Sequence, residues 1–159
     1  FIATGAVLAP GLVQGLGRPS PRSTDNWQFA EGDRQRVLDF IATQRISNVV
    51  FLSGDYHCAA SATIVFSHSP VKAYALVTPP LHAPLRFANV AASDVLAQET
   101  VPLAGGSAQI DAQAWNGDGW LECELAPLAS GGQRLRASFS MRRFDVATPD
   151  QVVTEWTLA

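Results

Sequence analysis

Residues 49–52 read Val-Val-Phe-Leu, apolar at every position rather than at alternate ones. A strand with one wet face alternates apolar and polar side chains, whereas a strand apolar on both sides has to be covered on both. This segment therefore predicts the central strand of a covered sheet, and with it an α/β fold. Beyond it come Ser53, Gly54, Asp55, Tyr56 and His57. Polar side chains just past a buried strand stand at the carboxyl edge of the sheet, where open α/β folds place their ligand chemistry.

The rest of the chain is read by period and by breakers. Residues 1–13 are apolar enough for one short buried strand before Pro10 and Gly11, and residues 14–26, rich in Gly, Pro and Ser, read as a loop. Helical spacing runs over 30–41, with Val37, Leu38 and Ile41 as the apolar stripe above Asp33, Arg34, Arg36 and Asp39. Glu31 and Asp33 fall in its first turn, where carboxylates meet exposed amides; residues 43–48 leave the helix. Residues 62–66 and 71–77 form a β-like pair around His68, Ser69 and Pro70, and Pro79 and Pro80 stop the pairing because proline donates no amide. An ordered loop is expected over 79–89, a short helix over 90–98, and a break at Gly105 and Gly106. In the last third the period becomes two: Leu121, Cys123 and Leu125; Leu135, Ala137, Phe139 and Met141; Val152, Thr154, Trp156 and Leu158. Three strands follow, each with one buried face, so residues 1–98 are expected to be mixed α/β and 99–159 mainly β.

Composition excludes several classes of function. A chain 47% apolar and 16% charged, of net charge -3 and with Lys72 as its single lysine, has no basic field for a phosphate backbone. The apolar start is shorter than a membrane span of about 20 residues and lacks the positive flank of a secretion signal. Because it begins at Phe1 and enters that stretch directly, the chain is expected to be part of a longer protein. Cys58 and Cys123 allow at most one disulfide, make no cysteine-rich zinc module and assign no compartment. No nucleophile elbow accompanies the scattered serines, and neither glycine pair is followed by the Lys-Ser/Thr of a phosphate loop.

What remains is Asp55-Tyr56-His57. A carboxylate oxygen and an imidazole nitrogen are both ligands for the hydrolytic metal ions. Alternatively, the aspartate caps the turn and the histidine bonds to backbone, or the two do acid-base work without a metal. The linked pattern is longer: Asp25-Asn-Trp-Gln, then Glu31-x-Asp33-Arg34-Gln-Arg36-x-Leu38-x-Phe40, then the strand ending in Gly54-Asp55-x-His57. In that order it resembles the later part of the PhoD-like branch of the calcineurin-like metallophosphoesterases, closely over residues 25–57 and more vaguely to Leu158.

The resemblance implies a portion of a helix-flanked β-sandwich with a β-rich C-terminal segment. It implies hydrolysis of phosphate mono- or diesters by a metal-activated water in an intact protein, with two divalent or trivalent ions that the donor set does not sort among Ca, Fe, Mn and Zn. Asp55 and His57 match the family's late metal motif and are the expected metal-binding and catalytic residues. Asp25, Asn26 and Trp27 match a loop near the active site, and Arg34 matches the basic helix; with Tyr56 and His82 they form the expected substrate rim. Trp27 is equally a loop anchor; Tyr56 reads otherwise as packing or a turn hydrogen bond, His82 as a loop hydrogen bond, Arg34 and Arg36 as solvated helix residues or partners of Glu31 and Asp39, and Cys58 and Cys123 as core. The family's earlier ligand motifs do not occur here, so an N-terminal portion of the same protein is the expected partner, beside a phosphate ester. A different class of function, a non-catalytic structural or interaction domain keeping the turn, is the alternative.

Overall fold

The computed structural model describes residues 1–13, 27–82, 90–142 and 151–158. In chain order these form β1 (Ile2–Ala3), α1 (Glu31–Thr43), β2 (Val49–Ser53), β3 (Ala59–Phe66), β4 (Lys72–Val77), β5 (Gln98–Leu103), β6 (Gly106–Trp115), β7 (Asp118–Pro127), β8 (Gln133–Arg142) and β9 (Gln151–Leu158). Two sheets result. The larger runs β1-β2-β4-β3-β6-β5, and the smaller β7-β8-β9. β1, β2 and β4 are parallel; from β4 outward through β3, β6 and β5 every pair is antiparallel. Among the described residues no helix is long and apolar enough to cross a membrane.

The doubly apolar strand is doubly covered. Val49 and Phe51 face α1, packing with Ala62, Ile64, Ala73 and Ala75 under Leu38, Ile41 and Ala42. Val50 faces the other way, clustering with Tyr74 and Leu76 against Leu135, Ala137, Phe139 and Met141 of β8. Two ring contacts tie the sheets together, Tyr74 with Trp156 at 4.7 Å and Trp115 with Phe139 at 5.6 Å between centroids. Such pairs contribute about 0.5–1.5 kcal/mol beyond the area they bury.

α1 extends two residues past the predicted stripe because its end is a Schellman turn without glycine. The Ile46 amide donates to the Ile41 carbonyl at 3.0 Å and the Arg45 amide to that of Ala42 at 3.2 Å, with Arg45 in the left-handed region at φ 53°. The helix presents Arg34 on its buried side beside Leu38 and Ile41, so Arg34 belongs to the inward stripe at i, i+4 and i+7 and not to the solvated face. Arg36 is exposed and pairs with Asp33 at 3.0 Å.

Three expectations are corrected. Residues 90–98 are not a helix: only Ala92–Asp94 form a 3-10 turn, and β5 begins at Gln98. The alternation of Glu99, Val101 and Leu103 with Gln98, Thr100 and Pro102 pairs with β6 instead, and sheet pairing overrides a local alanine preference. Residues 1–13 hold a two-residue strand and then a buried irregular strap, Val7 to Gly11. Cys123 is exposed rather than core. β7 is an edge strand, and its Cys123 and Leu125 register with the buried Ala137 and Leu135 of β8 yet lie open, beyond the cover of the larger sheet. On the outer face Glu124 stands opposite Arg136, but the ion pair Arg136 makes is with Glu155 of β9, at 3.7 Å and half exposed.

The two positions separate experimentally. Phe139→Ala, at a fully buried ring, is expected to cost about 3–5 kcal/mol, whereas Cys123→Ser is expected to stay within about 0.5 kcal/mol. Denaturant midpoints of the two variants check this; equal losses would contradict the placement of β7.

Candidate functional site

β4 lies between β2 and β3, so the chain leaving β2 at Ser53 must cross the carboxyl end of β4 to enter β3 at Ala59. Residues 54–58 make that crossing. Their backbone is fixed by three bonds: the Tyr56 amide to the Gly54 carbonyl at 2.9 Å, the Thr78 amide to Ser53 at 2.8 Å, and the Val90 amide to Tyr56 at 2.9 Å. Asp55 and His57 both adopt left-handed conformations, φ 72° and 58°. Gly54 does not, and a Cβ there would meet only an ordinary contact with the Thr78 methyl. The turn thus keeps its glycine where none is required and sets an aspartate and a histidine where glycine would be cheapest. Asp and His tolerate this region better than most side chains, and such outliers collect at functional sites.

Three consecutive side chains divide by environment. Tyr56 is buried, its hydroxyl donating to the Pro10 carbonyl at 2.9 Å. Asp55 on one side of it is exposed and His57 on the other is half-buried. A carboxylate and an imidazole of this kind suit a divalent or trivalent ion. They are two donors, and the described residues contain no group of three or more His, Cys, Asp or Glu side chains arranged to hold an ion.

The expected rim residues are scattered. Asp25 and Asn26 lie outside the described residues. Trp27 is half-buried against the helix-side core, with its indole N–H on Thr4 Oγ1 at 3.4 Å, the geometry of a loop anchor. Arg34 is at no open rim: its side chain is 3% exposed and its guanidinium forks onto Glu99, Nη1 to Oε1 at 2.6 Å and Nη2 to Oε2 at 2.8 Å. Its partner is therefore neither Glu31 nor Asp39. His82 is three-quarters exposed, with Nδ1 3.5 Å from Asp118 Oδ2 at the start of β7. The neighbouring Pro80 carbonyl accepts the Gly119 amide at 2.7 Å. Cys58 is fully buried and free.

Sequence reasoning missed Glu99 and Gly11, whose amide donates to Glu99 Oε2 at 3.1 Å. The available signal was Arg34 on the 34, 38, 41 stripe, since a buried guanidinium demands a counter-charge. Glu99 supplies it from the otherwise apolar face of Val101 and Leu103.

Burial sets the acid chemistry here. It pushes the Cys58 thiol from its ordinary 9.0 up to about 12, with the charge of Asp94 adding to the effect. It also raises the Tyr56 phenol well above its usual value, the nearby Arg34 opposing. Neither group is an available nucleophile or base at neutral pH.

A model of the PhoD-like phosphatase family matches residues 2–129, which takes in every element from β1 to β7 and leaves β8 and β9 outside. No curated protein and no solved structure matches the chain.

Both raised groups are neutral in the folded and unfolded states at neutral pH. Above it the unfolded chain releases protons that the folded protein retains, so stability is expected to fall as pH rises from about 9 toward 12. Denaturant midpoints from pH 8 to 11 check the slope, and Cys58→Ala should reduce it. Iodoacetamide at pH 8 should modify Cys123 and spare Cys58; prompt alkylation of Cys58 would contradict its burial.

Proposed function

Because the chain belongs to the PhoD-like phosphatase family, we propose that the protein of which it is part hydrolyses phosphate mono- or diesters with a metal-activated water, and that Asp55 and His57 are two of the metal donors. The observation that carries this reading is the crossing turn, where two strained positions hold a carboxylate and an imidazole beside a glycine that needs no freedom. A turn selected for shape alone would exchange those residue types. Hydrolytic ions, when bound, stabilise charge on phosphoryl oxygens and make water more acidic.

The chain's own residues have distinct tasks. Asp55, open to solvent, offers a carboxylate oxygen, and His57, half-buried, offers an imidazole nitrogen. Tyr56 points inward and anchors the turn. Among the described residues these two donors leave most coordination positions open, and the remaining ligands are proposed to come from a further portion of the same protein, in a helix-flanked sandwich of which this chain is the later part. Of the described rim residues, His82 is the exposed one, beside Asp118, while Trp27 anchors its loop against the core and Arg34 is occupied by Glu99.

In the intact protein, His57→Gly is expected to lose most bound metal and phosphoesterase activity while stability stays within about 1 kcal/mol, because glycine relieves the left-handed backbone. Elemental analysis, turnover and denaturation check this; full metal occupancy in the folded variant would sink the donor assignment, and an intact protein that binds no metal and turns over neither ester class would favour a non-catalytic domain. The 159-residue chain alone should show negligible turnover of either ester class with added Mn²⁺, Zn²⁺ or Ca²⁺, since two donors do not fix ions against phosphorus. Robust turnover abolished by Asp55→Ala would show a complete site within the chain.

A further inference from the structure

One peptide group connects the crossing turn to a buried ion pair. The carbonyl of the Pro10–Gly11 peptide accepts the Tyr56 hydroxyl at 2.9 Å, and the amide N–H of the same peptide donates to Glu99 Oε2 at 3.1 Å. Glu99 is held in turn by both terminal nitrogens of Arg34. The series joins α1, β5, the strap of residues 7–11 and the turn, and each of its side chains is buried or nearly so.

We propose that Arg34 and Glu99 are positioning residues for the Asp55–His57 turn, acting through the Pro10–Gly11 peptide and the Tyr56 hydroxyl. The inference rests on the reading of Asp55 and His57 as metal donors. Three features carry it. Tyr56 lies between the two left-handed residues, so its anchor opposes relaxation of both at once. A peptide bonded at both ends is polarised, and a carboxylate at the N–H end makes its carbonyl a better acceptor for the phenol. Finally, a Cβ at residue 11 would come within 3.0 Å of both Glu99 carboxylate oxygens, so glycine is what allows that carboxylate to reach the peptide. Donor side chains need support of this kind to keep coordination geometry, and loss of such outer partners costs about 10–100-fold in metal affinity.

The test uses the intact protein with two variants. Tyr56→Phe removes only the hydroxyl. The double variant Arg34→Met with Glu99→Met replaces the pair by apolar chains of similar length, because removing one partner would strand a buried charge and risk unfolding. Hydrogen exchange is followed without metal at the Tyr56 and Val90 amides, which close the turn, against the ladder amides of β2 and β4. Mn²⁺ affinity is measured by chelator competition. The expected result is turn exchange at least about tenfold faster in both variants with the ladder unchanged, and Mn²⁺ bound about 10–100-fold more weakly. Unchanged turn exchange in Tyr56→Phe, or faster exchange with undiminished Mn²⁺ affinity, overturns the proposal. His57→Gly separates the failures: if it abolishes Mn²⁺ binding while Tyr56→Phe leaves it intact, the positioning role alone falls, and if it binds Mn²⁺ normally, the donor reading falls and takes this inference with it.

Discussion

The insertion of β4 between β2 and β3 is the constraint from which the site follows. Two strands adjacent in sequence are kept apart in the sheet, so their connection has to pass over the end of a third within residues 54–58. A connection that short cannot relax into an ordinary loop. It bends through two left-handed residues, and the bend falls at the carboxyl end of the parallel strands, where peptide groups of β2 and β4 end and the next chain segments depart. The same crossing buries Tyr56, leaves Asp55 exposed and His57 half-buried, and so lets a three-residue segment hold both an anchor and the two donors proposed for a metal ion.

Arg34 and Glu99 cost the fold something. A buried ion pair recovers little net stability over an apolar pair of the same size, while removal of one partner strands a charge at about 3–5 kcal/mol. Its value here is directional. An apolar contact between α1 and β5 would tolerate small slides of the helix, whereas a bidentate fork fixes separation and orientation together. The strap that includes Gly11 is registered by further bonds: the Gln28 amide pairs with both backbone groups of Leu12 at 3.0 and 3.1 Å, and the Leu96 amide donates to Gly11 at 2.9 Å. The strap is thus positioned from the helix side and from the sheet side before it meets Tyr56.

How much of this was legible depends on which force decided each element. Val49 to Leu52 announced a covered strand because burial on both faces leaves no polar position, and β8 and β9 announced theirs because their period of two is unbroken. Residues 90–98 misled because alanine and leucine favour a helix locally, while Glu99 and Val101 were already committed to pairing with Ile110 and Ala108. Cys123 misled in the opposite way. Its alternation is real, but alternation reports which side a residue faces and not whether anything lies there, and β7 overhangs the larger sheet. Arg34 was read by charge when its spacing from Leu38 and Ile41 carried the information. The Asp55-His57 pair was legible by position, yet the left-handed backbone that distinguishes it from a surface cap depends on strand order, which no local pattern encodes.

The boundary of the family match bears on how labour is divided within the fold. It stops at residue 129, before the two strands that supply most of the apolar cover on one face of the larger sheet. Phe139, Leu135 and Ala137 are fully buried there, but their requirement is volume and hydrophobicity, which many sequences meet. The turn and its supports admit fewer solutions: the hydroxyl of Tyr56, the bare Cα of Gly11, the carboxylate of Glu99 and the fork of Arg34 are each specified by an atom and not by a size. All four lie inside the matched span. A covering sheet is thus specified by volume while it keeps β2 and β4 dry, whereas the support proposed for the Asp55–His57 turn is specified atom by atom, from Arg34 and Glu99 through the Pro10–Gly11 peptide to the Tyr56 hydroxyl.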